Sequence, residues 1–167
     1  CVLYLTIGTG VGAGIYIEGK LLHGMLHPEA GHVLITKRER DTYKGKCPYH
    51  KNCLEGLAAG PAIEGRFGKK AAELADVKEV WDLEADYIAQ ALTGYILTLS
   101  PEMMILGGGV MHQEQLLPLI RQKVTEYLGG YVNTEELKDM DHYIVPASLN
   151  DDQGIMGCLE LARRELE

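Results

Sequence analysis

Four residues in the first third of the chain carry ligand chemistry: His32, Cys47, His50 and Cys53. The last three lie in Cys47-Pro48-Tyr49-His50-Lys51-Asn52-Cys53, with two residues between successive donors. Two thiolates and two imidazoles suffice to close a tetrahedral zinc site, and four protein ligands leave no open coordination position. The expected zinc is therefore structural. The alternative is a loop with a surface histidine and two free thiols. His23 and His27 compete with His32 as the fourth ligand. His32 is preferred because Gly31, just before it, lets the backbone approach closely.

Glu29 and Glu55 flank these donors in the chain. Such carboxylates could accept hydrogen bonds from sugar hydroxyls, or work as acid and base. Their separation is not readable from sequence, so a paired-carboxylate hydrolase stays open. So does the commoner fate of a glutamate, a place on the surface.

Two glycine turns could meet a ligand through the backbone. Gly8-Thr9-Gly10-Val11-Gly12-Ala13-Gly14 satisfies a loose dinucleotide fingerprint. That fingerprint needs a helix directly after the turn, and Ile15-Tyr16-Ile17-Glu18 reads as a strand. The Rossmann reading is rejected. A glycine hairpin can still cradle phosphate with its amides and the Thr9 hydroxyl; a plain turn is the alternative. Gly107-Gly108-Gly109 follows a short apolar run, at the carboxyl end of a strand, where open α/β sheets tend to bind ligands. A flexible strand-to-helix turn is the competing explanation.

The elements that must position these residues follow from periodicity. Cys1–Ile7 and Gly14–Glu18 read as a β-hairpin, and Val33–Thr36 as a short strand. Lys37–Lys46 reads as a solvated excursion. Helices are expected over Leu57–Phe67, Trp81–Leu99, Gln113–Leu128 and Asp152–Leu166, with strands at Met103–Leu106 and His142–Pro146. The last helix is expected to bury Ile155, Leu159, Ala162 and Leu166, capped by Asp151 or Asp152. Glycine or proline closes most elements, and the alternation of helix and strand predicts an α/β layer with parallel pairing.

The chain has 167 residues, enough for a single domain over 1–167, and 46% of them are hydrophobic. The net charge of −8 argues against a nucleic-acid surface. No apolar run is long enough to span a membrane as a helix. No secretory signal stands at the start, and two of the four cysteines fall in metal spacing. A reducing, cytoplasmic compartment is expected. The chain opens at Cys1 directly into an apolar run, which suggests a piece of a larger protein.

Taken together, these residues resemble the ROK family of sugar kinases, and within it the bacterial fructokinases. The resemblance rests on Gly8-Thr9-Gly10-Val11-Gly12 and His27-Pro28-Glu29-Ala30-Gly31-His32. It rests equally on the Cys47–Cys53 loop, Leu54-Glu55-Gly56-Leu57-Ala58-Ala59-Gly60-Pro61-Ala62, Leu106-Gly107-Gly108-Gly109-Val110 and Gln153-Gly154-Ile155-Met156-Gly157-Cys158. It implies the C-terminal lobe of the ribonuclease-H-like, hexokinase/actin-like α/β fold with a zinc-binding loop. It implies ATP-dependent phosphorylation of a hexose, fructose in this branch, with Mg2+. Gly8, Thr9 and Gly10 would hold phosphates. Gly107, Gly108 and Gly109, with Gly60 and Pro61, would border the adenosine. Glu29, His32 and Glu55 would face the sugar, and His32 would also ligate zinc. The family's first phosphate motif and its general-base aspartate precede the segment that matches Cys1, so the chain alone is expected to be inactive. The resemblance further implies a homodimer. Two other readings remain: the effector lobe of a ROK-type transcriptional regulator, and a zinc-pinned binding module without catalysis.

Overall fold

The computed structural model describes every residue except Asn150 and Glu167. A five-stranded mixed sheet runs in the order β3-β2-β1-β4-β5. Its strands are β1 (Val2–Ile7), β2 (Val11–Ile17), β3 (Lys20–Leu21), β4 (Met103–Gly107) and β5 (Ile144–Pro146). The three N-terminal strands pair antiparallel, as a hairpin and its extension must; β4 and β5 then add in parallel beside β1. Parallel pairing needs a long crossover. The helices supply it: α1 (Leu54–Ala58), α2 (Gly60–Phe67) and α3 (Lys78–Leu99) between β2 and β4, then α4 (Leu116–Leu128), α5 (Glu135–Lys138) and α6 (Met140–Tyr143) before β5. A last helix, α7 (Gln153–Arg164), ends the chain.

The alternation in β1 sends Leu3, Leu5 and Ile7 fully into the core. They join Met104 and Leu106 of β4, the inner stripe of α3 (Trp81, Ala85, Ile88, Leu92) and that of α4 (Leu116, Ile120, Val124) in one cluster. The α3 and α4 helices pack along each other, and α3 also meets α1. Burying each large aliphatic side chain contributes about 1.5–3 kcal/mol, so this layer fixes the sheet from which both glycine turns project.

Several expectations change. Val33–Thr36 is not a strand; it makes a single bridge, Leu34 to Cys53, which ties it to the metal loop instead of the sheet. The helix expected over Leu57–Phe67 starts earlier and is split, because Ala59 is extended and Pro61 opens a second helix. The segment before α4 begins as a 3-10 turn, Gly109–His112, and His142 belongs to α6, not to β5.

Lys37–Lys46 is not simply solvated. Asp41 is 8% exposed, accepts from Tyr87 at 2.7 Å and pairs with Arg66 at 3.2 Å. Burial works to raise the Asp41 carboxyl, but hydrogen bonds from Tyr87 and the Tyr43 amide, with Arg66 beside it, hold it below its ordinary value.

The final helix departs most. None of its residues is buried; Ile155 is 65% and Leu159 59% exposed. Its apolar stripe is real, but no other element among the described residues covers it. Asp152 takes the N-cap position without a side-chain capping bond, and Asp151 pairs with His112 at 3.2 Å.

Candidate metal centre and the adjoining cleft

The metal loop is built outward from α1. Cys53 is its N-cap, and the Cys53 sulfur accepts from the Gly56 amide at 3.3 Å. The His50 amide points at the Cys47 sulfur at 3.4 Å. The Gly56 bond favours the Cys53 thiolate. The Ile35 amide donates to Asn52 at 2.9 Å and the Leu54 amide to Val33 at 3.0 Å, so the 33–35 segment is laced onto the loop's return. That lacing delivers His32.

The four donors converge. His32 Nδ1 lies 3.8 Å from Cys47 Sγ and 3.6 Å from Cys53 Sγ, and His50 Nδ1 is 3.6 Å from Cys47 Sγ. All four ligand atoms lie within 4.8 Å of one another. Zinc bonds of about 2.3 Å to sulfur and about 2.0–2.1 Å to nitrogen give a tetrahedral edge of about 3.6 Å, which matches these separations. The donor chemistry fits as well. Burial pushes the Cys53 thiol up, and neighbouring Cys47 and Glu55 push it further. Two thiolates this close need a cation between them. His23 and His27 stand apart from the cluster: His27 faces the Ala13 carbonyl at 3.1 Å and His23 packs beside it.

His32 uses its two nitrogens in opposite directions. Nδ1 faces the sulfurs, while Nε2 lies 3.8 Å from Glu55 Oε1. That gap is too long for a direct hydrogen bond, so both groups retain capacity for a ligand; their side chains are 28% and 27% exposed. The other oxygen of Glu55 accepts from the Val11 amide at 3.0 Å. Glu55 therefore links the metal segment to the glycine hairpin. Gly10 is small for this reason: a Cβ there would meet Glu55 Oε2 at 2.7 Å. The turn carrying Gly31 is seated on β2, where a Cβ would come within 2.0 Å of the Val11 carbonyl. Tyr95 fixes the same turn by donating to the Ala30 carbonyl at 2.6 Å. Glu29 is exposed at its start, and its backbone carbonyl accepts from the His32 amide at 3.0 Å.

The glycine residues gather on the neighbouring side. Gly60 N donates to Gly8 O at 2.8 Å. Gly8, Thr9, Gly60, Pro61 and Gly109 line one open cleft of about 400 Å3, with Glu64 and Lys70 on its walls. Gly107 and Gly108 face an adjoining cleft instead. Gly108 has φ +91°, and a Cβ on it would lie 2.5 Å from the Ile7 carbonyl. The turn after β4 thus crosses tightly over the end of β1. Gly10 points to Glu55, not into this cleft, so the expected phosphate trio is divided.

Sequence reasoning missed the brace behind the loop. Arg38 pairs with Asp86, Arg66 with Asp41, and Arg66 also stacks on Tyr43 at 4.9 Å. Burial works to raise Asp86, but its bonds from Arg38, Tyr127 and Gln90 hold it below its ordinary value. No local pattern could reveal these pairs, because the partners come from α2, α3 and α4.

Comparisons with known proteins identify the family and the fold. The family model described as "ROK family" matches residues 1–165. The chain is 54% identical to the "Putative fructokinase" of Bacillus subtilis over 99% of its own length and 56% of that protein's. It is 46% identical to the fructokinase of Pediococcus pentosaceus, again over 99% of this chain and 56% of the relative. The crystal structure of the ROK hexokinase from Thermus thermophilus superposes with a TM-score of 0.75 at 26% identity, covering 97% of this chain and 58% of that one. The chain spans little more than half the length of the proteins it matches.

Proposed function

The chain belongs to the ROK family, and from that premise we propose that it forms the metal-bearing lobe of an ATP-dependent hexose kinase whose acceptor is D-fructose. The lobe has the mixed α/β sheet of the family's sugar kinases, an actin-like ATPase fold. The observation that carries the reading is the two-faced His32. One ring nitrogen is turned to a thiolate pair and the other to Glu55, beside a glycine hairpin.

Zn2+ is the proposed metal, held by His32, Cys47, His50 and Cys53. With four protein ligands its work is to fix His32 and the start of α1, and it supplies no Lewis acid. Glu29, His32 and Glu55 would bind sugar hydroxyls. A neutral imidazole whose Nδ1 ligates the metal carries its proton on Nε2, so His32 would donate while the two carboxylates accept. Gly8, Thr9 and Gly10 would direct amides and a hydroxyl toward phosphates, and Gly60, Pro61 and Gly107 to Gly109 would border the adenosine. Mg2+ bound with ATP would neutralise charge on the phosphates.

Phosphoryl transfer also needs a base to orient the attacking hydroxyl. We assign that role to no residue of this chain; the proposal places it on an aspartate of a second lobe, with residues 1–167 as the single C-terminal domain. A cytoplasmic homodimer completes the proposal, with the exposed stripe of α7 as its contact. The sequence identity to fructokinases supports fructose over other hexoses.

The test is ATP-dependent phosphorylation of fructose, mannose and glucose by the full-length protein and by residues 1–167 alone. The full-length protein is expected to prefer fructose, and the isolated lobe to be inactive. Absence of hexose phosphorylation by the full-length protein would overturn the reading.

A further inference from the structure

The segment that carries Glu29 and His32 is held from two directions. On one side lies β2. A Cβ on Gly31 would come within 2.0 Å of the Val11 carbonyl, and His27 faces the Ala13 carbonyl at 3.1 Å. On the other lies α3, which reaches the segment with two side chains. Tyr95 donates to the Ala30 carbonyl at 2.6 Å. Gln90 takes both backbone groups of Thr36: its Oε1 accepts from the amide at 2.8 Å, and its Nε2 donates to the carbonyl at 3.0 Å. The core helix thus pins the segment just before His32 and again beyond Ile35.

The two pins differ in what they hold. Gln90 acts at the far end of the segment, on the exposed Thr36. Tyr95 acts on the 3-10 turn Ala30–His32 itself and is 5% exposed. Packing alone does not call for a tyrosine there. Phenylalanine would fill nearly the same volume with no hydroxyl to desolvate, and a buried hydroxyl is unfavourable unless it is hydrogen-bonded. Burial pushes the Tyr95 phenol up, so it stays a donor at neutral pH. The Ala30 carbonyl already accepts from the Val33 amide at 3.2 Å, which closes the turn locally. The hydroxyl adds a second bond to that oxygen, and this one ties the turn to the core.

We infer that Tyr95 is a positioning residue for the acceptor sugar: its hydroxyl holds the Ala30–His32 turn in the conformation that presents Glu29 and His32 to the hexose. The inference rests on the sugar-binding reading of the proposed function and adds a residue to it. Tyr95 acts through the Ala30 carbonyl, one residue after Glu29 and two before His32. Without the hydroxyl the turn samples misaligned conformers, and fructose binds the aligned fraction. The fructose KM then rises by the inverse of that fraction, while saturating fructose restores alignment and with it kcat. The cost of one hydrogen bond corresponds to about a fivefold change.

The experiment compares full-length wild type, Tyr95→Phe and Gln90→Leu. It measures kcat, the KM values for fructose and for ATP, and hydrogen exchange at the His32 and Val33 amides. Tyr95→Phe should raise the fructose KM about fivefold and leave kcat and the ATP KM within about twofold, with faster exchange at both amides. Gln90→Leu loosens the same segment at its other end and should leave the fructose KM within about twofold. That control separates positioning from general stability. An unchanged fructose KM in Tyr95→Phe, an equal rise in the ATP KM, or an equal fructose effect from Gln90→Leu would each overturn the inference while the kinase reading stands. A Tyr95→Phe protein that does not fold would make the hydroxyl a stability element and overturn it too. If wild type phosphorylates no hexose, the proposed function fails and the inference falls with it.

Discussion

The metal side and the glycine side of this lobe are built from opposite materials. The metal side is made of side chains: two sulfurs, two imidazoles and Glu55 converge from three separate segments. The glycine side is made of backbone: Gly8 gives its carbonyl to Gly60, and Gly60 and Gly108 contribute by having no side chain. The difference teaches how each side should break. The metal side fails when a group is removed, and the glycine side when a carbon is added.

The largest effect is expected from breaking the metal side. Cys53→Ala should abolish metal binding and lower stability by about 4 kcal/mol or more at metal a thousandfold above its Kd. Elemental analysis and urea unfolding, with and without chelator, check this. The chelator should shift wild type and leave the variant where it was.

Next come the added carbons. Gly31→Ala would place Cβ 2.0 Å from the Val11 carbonyl, a collision with backbone that cannot rotate away. A cost of about 3 kcal/mol is expected, with loss of metal, because the turn carrying His32 must lift off β2. Gly108→Ala combines φ +91° with a 2.5 Å approach to Ile7 O. It should cost about 2 kcal/mol and leave metal content intact. If Gly108→Ala also loses the metal, the two sides are not separable.

The smallest effect is a pH dependence belonging to the brace behind the metal side. Asp41 and Asp86 are both held below their ordinary value of 3.8. A depressed carboxylate gives stability that is complete above the unfolded pKa and disappears as pH falls through the folded one. Stability measured in chelator should therefore drop below about pH 4. The drop should shrink in Asp86→Asn. Glu84 acts in the opposite sense: it is fully buried and pushed well above its ordinary value by that burial. Its contribution is lost as pH rises, so the gain from Glu84→Gln should grow from acid toward neutral pH.

The comparison also explains what the sequence could tell. The convergence of the candidate donors was readable in part because Cys47, His50 and Cys53 share one loop and their spacing brings them together. The inner stripes of α3 and α4 were readable because periodicity marks a face for burial. The same periodicity misled at α7, where Ile155 and Leu159 form an equal stripe that this chain does not cover. Periodicity states what a face requires, not whether a partner is present. The brace of Asp41 with Arg66 and Tyr87 was illegible for another reason. The partners lie 25 and 46 residues away, and Lys37–Asp41 taken alone reads as a solvated charge run.

The central claim is that the metal positions the sugar side and leaves the nucleotide side alone. The most direct measurement is a pair of KM values for the full-length protein, for fructose and for ATP, before and after removal of the metal at a temperature where the stripped protein stays folded. The account predicts that the fructose KM rises at least about tenfold while the ATP KM stays within twofold, and that zinc restores the fructose KM. Equal rises in the two KM values, or no change in either, would contradict it.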